Sequence, residues 1–117
     1  MSDDCIFCKI AAGTIPTTFL WEDDEVVAFR DINPQAPFHI LVIPREHLGS
    51  TLELNPTRAN LVGHLIGVGI LCARQAGYGD LETGFRHVIN TGEDGGQSVG
   101  HLHVHLLAGR KLAWPPG

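Results

Sequence analysis

His101-Leu102-His103-Val104-His105-Leu106-Leu107-Ala108 is the stretch of this sequence that constrains the fold most strongly. Histidines alternate with apolar residues in it, as they would on a β-strand that has one face against a core. Side chains two residues apart on a strand point the same way, about 6.6 Å from each other. The pattern therefore predicts a strand over Leu102–Ala108, preceded by His101, with three imidazoles on one face. The opposite, core-facing side would carry Leu102, Val104 and Leu106.

The segments upstream of this run predict four further strands and two helices. Residues of high β-propensity, bounded by turn residues, indicate the strands Thr17–Glu22, Val26–Phe29, Phe38–Ile43 and Phe85–Thr91. Cys5–Ala12, which Gly13 ends, is typical of a short helix, and apolar residues at helical spacing predict a long helix from Asn55 to Gln75. Because strands and helices do not alternate, we expect an α+β fold built on an antiparallel sheet.

Length and composition favour one small domain. The 117 residues, 44% of them hydrophobic, can enclose one core, so we expect a single domain over residues 1–117. No apolar stretch approaches the roughly 20 residues of a membrane span, and the acidic start Met1-Ser2-Asp3-Asp4 is unlike a secretory signal. The expected location is therefore the cytoplasm, with no membrane partner. The net charge of −5 also argues against a nucleic-acid partner.

Three aligned imidazoles can provide a nucleophile, an acid and a cation at physiological pH. A lone histidine on a strand is more often structural, but strict alternation of three weakens that interpretation. A metal site is a second alternative, since His-x-His on a strand can present two ligands to zinc or iron. The loop Gly95-Gly96-Gln97-Ser98-Val99-Gly100 favours phosphate chemistry, because its glycine-freed N–H groups and its serine hydroxyl suit an anion.

The run of alternating histidines resembles the motif of the histidine-triad (HIT) superfamily. Gly95–Arg110 and the segment Trp114-Pro115-Pro116-Gly117 are similar to its Hint branch, the purine nucleoside phosphoramidate hydrolases, and so are Phe29–Pro37, Leu41–Pro44 and Leu61–Leu65. The resemblance implies a HIT-like fold, which has a five-stranded antiparallel sheet, one long helix and a short N-terminal helix. It also implies a homodimer in which the two sheets join into one of ten strands.

The resemblance further implies cleavage of purine nucleoside 5′-phosphoramidates, or acyl-nucleotides, through a covalent nucleotidyl-histidine. His103 would be the nucleophile, with its other ring nitrogen bonded to a backbone carbonyl. His105 would donate to the phosphate oxygens, and Ser98 would hydrogen-bond the leaving atom. His101 would complete the triad, and His39 would stand behind it. The positions implied to bind the nucleotide, an AMP- or GMP-like ligand, are Ile6, Phe7, Ile10, Phe29, Asp31, Ile32, Leu41, Asn90, Gly96 and Ser98.

Among these positions, Asp31 matches the carboxylate that accepts from the two ribose hydroxyls, whereas without the resemblance it would be taken for a turn former. Plain core packing remains the alternative for some of the apolar positions. His64 and His87 are interpreted as partly exposed structural residues and receive no role.

The pair Cys5-Ile6-Phe7-Cys8 resembles bacterial-type HIT proteins, which hold a zinc as the galactose-1-phosphate uridylyltransferases do. The resemblance implies that His47 and His101 complete the ligand set. Two cysteines and two histidines suit a closed, tetrahedral structural zinc, and the chemistry itself would need no metal. The alternative is that both cysteines are simply reduced thiols on a short helix. His101 then has two competing roles, as a zinc ligand and as a member of the triad.

Other functions also stay open at this point. The triad could serve as the ligand set of a metal-dependent hydrolase, or the chain could be a nucleotide-binding protein without catalytic activity. The dinucleoside polyphosphate hydrolases of the same superfamily are the nearest enzymatic alternative. Because the expected base pocket is apolar, the sequence does not discriminate adenine from guanine.

Overall fold

An antiparallel sheet of five strands forms the centre of the protein. The computed structural model describes residues 4–117, so residues 1–3 of the acidic start lie outside the described part. The strands are β1 (Phe19–Glu22), β2 (Val26–Arg30), β3 (Phe38–Pro44), β4 (Arg86–Val88) and β5 (Val104–Ala108). Their order across the sheet is β1-β2-β3-β5-β4, and every neighbouring pair is antiparallel. The predicted α+β fold built on an antiparallel sheet is confirmed.

Two α-helices pack on opposite faces of this sheet. The short helix α1 (Ile6–Ala11) is capped by Cys5, whose sulfur accepts a hydrogen bond from the Cys8 N–H. The long helix α2 (Ala59–Gln75) follows a 3₁₀ turn over Pro56–Arg58, and Asn55 caps that turn. The prediction of a long helix is confirmed, although its α-helical part begins four residues later than Asn55. Pro56 fits the first turn of a 3₁₀ helix as well as that of an α-helix. The sequence pattern therefore did not distinguish the 3₁₀ turn from the α-helix that follows it.

Alternating side chains divide the interior into two layers, one on each face of the sheet. Towards α2 lie alternate residues of the strands, Val26 and Ala28 on β2 and Ile40 and Val42 on β3 among them. Complete burial of a side chain as large as that of Leu106 on β5 contributes about 1.5–3 kcal/mol to stability. The opposite face carries Val27, Phe29, Leu41 and Ile43, which pack against Phe7, Ile10 and Ala11 of α1.

The last strand is shorter than the histidine pattern predicted. It begins at Val104, so His101 and His103 precede it and only His105 is a strand residue. The Leu102 N–H donates to the Leu48 carbonyl, 2.6 Å away, in place of a sheet neighbour. The prediction of one strand face bearing all three histidines is therefore wrong, because the chain joins the sheet only at Val104, after His103. The predicted burial of Leu102, Val104 and Leu106 is confirmed.

Two other strand predictions were too long. β1 begins at Phe19, two residues after the predicted start at Thr17, and β4 covers three residues where Phe85–Thr91 was predicted. In the described residues 4–117, no helix combines the length and hydropathy that crossing a membrane requires.

Candidate functional site

Two cysteines and two histidines meet at the N-terminal end of α1. Cys8 Sγ lies 3.2 Å from His47 Nδ1, and Cys5 Sγ lies 3.3 Å from His101 Nδ1. The two histidine Nδ1 atoms are 3.2 Å apart, and all four ligand atoms lie within 4.8 Å of one another. A zinc tetrahedron with ordinary bond lengths places sulfur and nitrogen ligands about 3.5 Å apart. The spacing of this cluster, defined by Cys5, Cys8, His47 and His101, therefore suits one zinc ion.

The local structure also prepares His101 for a metal. This side chain is fully buried, and its Nε2–H donates to the Pro44 carbonyl at 2.9 Å. With the proton held on Nε2, the lone pair of Nδ1 faces the two sulfurs. Metal-bound histidines commonly donate their other ring N–H to such an acceptor, which fixes the ring orientation. The sequence prediction of this ligand set is confirmed at the level of donor type and spacing, and all three cysteines are reduced.

His103 sits between the zinc cluster and a cavity. Its Nδ1–H donates to the backbone carbonyl of His101 at 2.7 Å, so that its other nitrogen, Nε2, carries the lone pair in the neutral ring. The ring is 3% exposed and packs edge-on against Phe7, with centroids 5.2 Å apart. A neutral imidazole with one nitrogen fixed as donor has a defined nucleophilic atom, which is the arrangement that covalent catalysis requires.

A chain of hydrogen bonds also fixes the protonation of His105. The Gln35 backbone N–H donates to His39 Nδ1 at 3.0 Å, so neutral His39 holds its proton on Nε2. That Nε2 lies 2.9 Å from His105 Nδ1 and 3.4 Å from the Asp31 carboxylate. His105 Nδ1 therefore accepts from His39, and the proton of neutral His105 is on Nε2, where it can be donated to a ligand.

This proton order bears on a second group of potential metal ligands. The side chains of Asp31, His39 and His105 bring their ligand atoms within 4.8 Å of one another. However, the Gln35 N–H occupies the lone pair of His39 Nδ1 and leaves the proton on the nitrogen that faces the group. A metal-bound histidine needs an acceptor, rather than a donor, at its other nitrogen. The group is thus better suited to pass hydrogen bonds to a ligand than to hold a metal.

Burial keeps His39 and His105 neutral. Burial, supported by the nearby His103 and His39, lowers the pKa of His105 to about 4, although Asp31 acts in the opposite direction. Burial also lowers the pKa of His39, again against the effect of Asp31. At physiological pH both rings are therefore neutral hydrogen-bonding groups, and His105 acts as an N–H donor without a net positive charge.

The lowered pKa of His105 predicts a pH dependence of stability. The ordinary histidine pKa is 6.5, so the unfolded chain gains a proton here as pH falls from about 6.5 to about 4 while the folded chain does not. The contribution to stability is complete above pH 6.5 and decreases through that window. Urea unfolding at pH 7.5, 5.5 and 4.5 should show that the free energy of unfolding decreases less with falling pH in His105→Asn than in the unmodified chain. Parallel losses in the two proteins would contradict the assignment.

The cavity in front of His103 and His105 has a volume of about 540 Å³, which is within the usual range for small-molecule sites. One wall comes from α1, and the floor comes from β2 and β3. Most of the residues predicted to contact the nucleotide line it: Ile6, Phe7, Ile10, Phe29, Asp31, Ile32, Leu41 and Ser98. Ile32 does so at the rim, where it is 98% exposed. The lining is largely apolar, with polar groups at the histidine end.

Asn90 and Gly96 do not line the cavity, although the sequence placed them at the ligand. The Asn90 side-chain amide donates to the Gly95 carbonyl at 2.7 Å, and Gly96 has a φ of +76° that L side chains rarely adopt. Both residues therefore shape the loop that carries Ser98 to the cavity. The Gln97 side chain attaches this loop to the Gly49 carbonyl at 2.7 Å.

Sequence reasoning missed several residues of the site. Residues 15–18 line the cavity as an irregular chain, although the last two of them, Thr17 and Thr18, were predicted to begin a strand. Leu20, Arg30 and Val99 also line it. Arg45 was also missed: its guanidinium donates to the Ala11 carbonyl at 2.6 Å and its Nε donates to the Asp23 carbonyl at 2.7 Å. These contacts join residues distant in the chain, so no local pattern indicates them. Of the two histidines given no role, His64 pairs with Asp23, and His87 is half-buried.

Fold and site together define a histidine-triad protein with an attached cluster of two cysteines and two histidines. The "HIT domain" family matches residues 12–112, and the chain belongs to this family. An uncharacterized HIT-like protein of Synechococcus elongatus is 52% identical over the full length of both chains. A 14 kDa zinc-binding protein of Brassica juncea is 48% identical over 97% of this chain and 100% of its own length.

Solved structures agree with this assignment. A HIT family hydrolase from Legionella pneumophila has a TM-score of 0.92 and 43% sequence identity, covering 97% of this chain and 100% of its own. A histidine triad protein from Clostridium difficile has a TM-score of 0.90 and 49% identity, covering 97% and 96% of the two chains. The predicted HIT-like fold, with its five strands, long helix and short N-terminal helix, is confirmed.

Proposed function

We propose that this protein is a zinc-containing hydrolase of the Hint type, which cleaves purine nucleoside 5′-phosphoramidates or acyl-nucleotides through a nucleotidyl-His103 intermediate. The observation that carries the proposal is the state of His103. Its Nδ1–H is committed to the His101 carbonyl, and the ring lines a cavity of nucleotide size. The free Nε2 lone pair is therefore the nucleophile available to a phosphate in that cavity.

In the first half of the reaction, His103 Nε2 attacks the α-phosphorus and forms a nitrogen–phosphorus bond. The bond between phosphorus and the leaving nitrogen, or the acyl oxygen, breaks. A leaving amine takes a proton from solvent, a carboxylate leaves as the anion, and the water of the second half returns a proton to solvent. The Ser98 hydroxyl, at the cavity wall, is the hydrogen-bond partner for that leaving atom. His105 donates its Nε2–H to the non-bridging oxygens, where charge develops. Water then attacks the same phosphorus, releases the nucleoside monophosphate and restores neutral His103.

The remaining walls of the cavity suit the nucleoside. Phe7, Phe29 and Leu41 provide apolar surface for a purine ring. Asp31 lies on the same cavity with one carboxylate oxygen near His39, and it is the acceptor we assign to the ribose hydroxyls. Because the cavity is uncharged apart from Asp31 and Arg30, shape and stacking contribute most of the base affinity.

When bound, the zinc would supply a cross-link between α1, the loop after β3 and the segment before β5, as structural Cys₂His₂ sites do. The residues assigned to it are Cys5, Cys8, His47 and His101. His101 then acts on the reaction through its backbone carbonyl, which orients His103. The reaction therefore uses His103, His105 and Ser98 directly, and a metal-dependent hydrolase is disfavoured by the donor that occupies His39.

The proposal is tested by turnover of adenosine 5′-phosphoramidate, followed by release of AMP. We expect kcat to persist in a chelator at saturating substrate and the rate on diadenosine polyphosphates to be lower than that on the phosphoramidate. Because chelation also removes the structural zinc, a loss of kcat on chelation would indicate a metal-dependent hydrolase only if Cys8→Ser, which lacks that zinc, remains active. No turnover of either substrate would indicate a binding protein. A higher rate on the diadenosine polyphosphates would make those compounds the substrate class.

The homodimer, the single domain over residues 1–117 and the cytoplasmic location remain predictions. Light scattering of the purified chain would test the first, since a dimer should have twice the mass of the 12.7 kDa chain.

A further inference from the structure

The short helix α1 is shared by the zinc cluster and the nucleotide cavity. Cys5 caps the helix and Cys8 lies in it, while Ile6, Phe7 and Ile10 of the same six residues line the cavity. An isolated helix of this length is unstable in water, so α1 depends on its tertiary contacts. A change in those contacts at the zinc end is therefore transmitted to the cavity wall.

The contacts of α1 divide between its two ends. At the C-terminal end, the Arg45 guanidinium holds the Ala11 carbonyl. At the N-terminal end, the two sulfurs lie beside His47 and His101, and the Phe7 ring packs edge-on against the His101 ring. Between the ends, Phe7 packs edge-on against Phe29, with ring centroids 5.8 Å apart, and against the nucleophile His103.

We propose that zinc binding and nucleoside binding are energetically coupled through α1. Zinc holds the N-terminal end of the helix, and this keeps Phe7 in the cavity wall, where it meets both the nucleoside and His103. The inference rests on the proposed function only in assigning a nucleotide to the cavity. It adds a regulatory property, because loss of zinc weakens the ligand site without removing any residue that reacts.

The physical reason lies in what remains at the cluster without zinc. What remains is a hydrogen bond between the Nδ1 atoms of His47 and His101, which are 3.2 Å apart, and the weak hydrogen bonds of two thiols. Hydrogen bonds from thiols are weak compared with zinc–thiolate bonds, so the local free energy that keeps α1 docked falls. Local opening of a short terminal helix then competes with ligand binding. By linkage, a nucleoside that binds the docked helix must raise the affinity for zinc by the same factor.

A second route between the two sites has to be separated from this one. His101 is a cluster residue, and its backbone carbonyl holds the Nδ1–H of His103 at the phosphate end of the cavity. Coupling by that route would affect AMP, which carries a phosphate, more than adenosine, which carries none. Coupling through α1 acts on the apolar wall and affects both ligands.

The test measures the dissociation constants of AMP and adenosine for the zinc-loaded and the chelator-stripped protein by calorimetry. We expect both ligands to bind at least about fivefold more weakly without zinc, which is the lower range of measured couplings. Competition with a chromophoric chelator should show zinc affinity rising by a similar factor when AMP saturates the loaded protein. This second readout does not require the stripped protein to stay folded.

Two variants sharpen the test. Phe7→Leu keeps an apolar side chain but removes the ring that contacts His103, so the coupling factor should fall towards one. Cys72→Ala is the matched control, because Cys72 is a buried cysteine of α2 on the opposite face of the sheet. It should keep one zinc per chain and the full coupling factor.

Several outcomes would overturn the inference. One is that the ligand affinities with and without zinc agree within about twofold while the zinc affinity is unchanged by AMP. Others are an effect of zinc on AMP binding alone and full coupling in Phe7→Leu. The last is that the zinc-loaded protein does not bind AMP. Failure of the proposed function is recognised separately. In that case AMP and adenosine bind with coupling, but no phosphoramidate is turned over.

Discussion

Replacing His103 with alanine should lower turnover of adenosine 5′-phosphoramidate by roughly 10³-fold or more, which is typical when an enzyme loses its covalent nucleophile. The change removes the ring whose free Nε2 is fixed at the cavity by a hydrogen bond from Nδ1 to the His101 carbonyl. AMP should still bind, because the apolar walls and Asp31 remain in place. The expected signature is therefore a loss in kcat with a modest change in ligand affinity.

Trapping the intermediate gives the sharper measurement. Intact mass spectrometry after an alkaline quench should find one nucleotidyl group on the unmodified chain, since the nitrogen–phosphorus bond is labile in acid. His64→Gln is the matched control, because His64 lies on α2 and pairs with Asp23 away from the cavity. It should retain both adduct and turnover, whereas His103→Ala should retain neither. An undiminished adduct on His103→Ala would assign the nucleophile to another residue.

The strands of this fold were predictable where a local pattern had a single interpretation. The predicted runs Val26–Phe29 and Phe38–Ile43 combine β-branched residues with turn signals at both ends, and both are strands, each one residue longer than predicted. The pattern failed at His101 and His103, which alternate with buried residues but belong to no strand. The alternation identified Leu102, Val104 and Leu106 as core residues, although His101 and His103 are buried as well. Strand membership depends instead on the backbone partner. Here that partner is the Leu48 carbonyl, which no neighbouring residue reveals.

Some residues of the site were predictable from local spacing in the chain, and others were not. The three histidines of the triad are close to one another in the chain, and so are Cys5 and Cys8. The spacing within each group therefore indicated chemistry. The Gln35 N–H, which sets the proton positions of His39 and His105, is a backbone group and carries no signal in the side-chain sequence. Arg45 likewise acts on carbonyls 22 and 34 residues away. Such contacts depend on tertiary structure, which local propensity does not encode.

Replacing Cys8 with serine should remove most of the zinc and lower the melting temperature by about 10–20 °C. A site that is saturated about a thousandfold above its dissociation constant contributes roughly 4 kcal/mol to stability, and 1 kcal/mol corresponds to a few degrees in a domain of this size. Cys8 is 3% exposed, and its sulfur lies 3.2 Å from His47 Nδ1 and 3.5 Å from His101 Nδ1. A serine hydroxyl is a poor zinc ligand in this position.

The chelator provides the control that separates metal loss from a packing defect at this buried position. If Cys8 stabilises the fold through zinc, chelation should lower the melting temperature of the unmodified chain by a similar amount and that of Cys8→Ser very little. The two perturbations would then be non-additive, as expected when they remove the same interaction. Cys72→Ala should bind one zinc, measured by elemental analysis, and remain sensitive to the chelator. Additive losses in Cys8→Ser would instead show that the thiol stabilises the core without a metal, and the cluster would then be a set of reduced side chains.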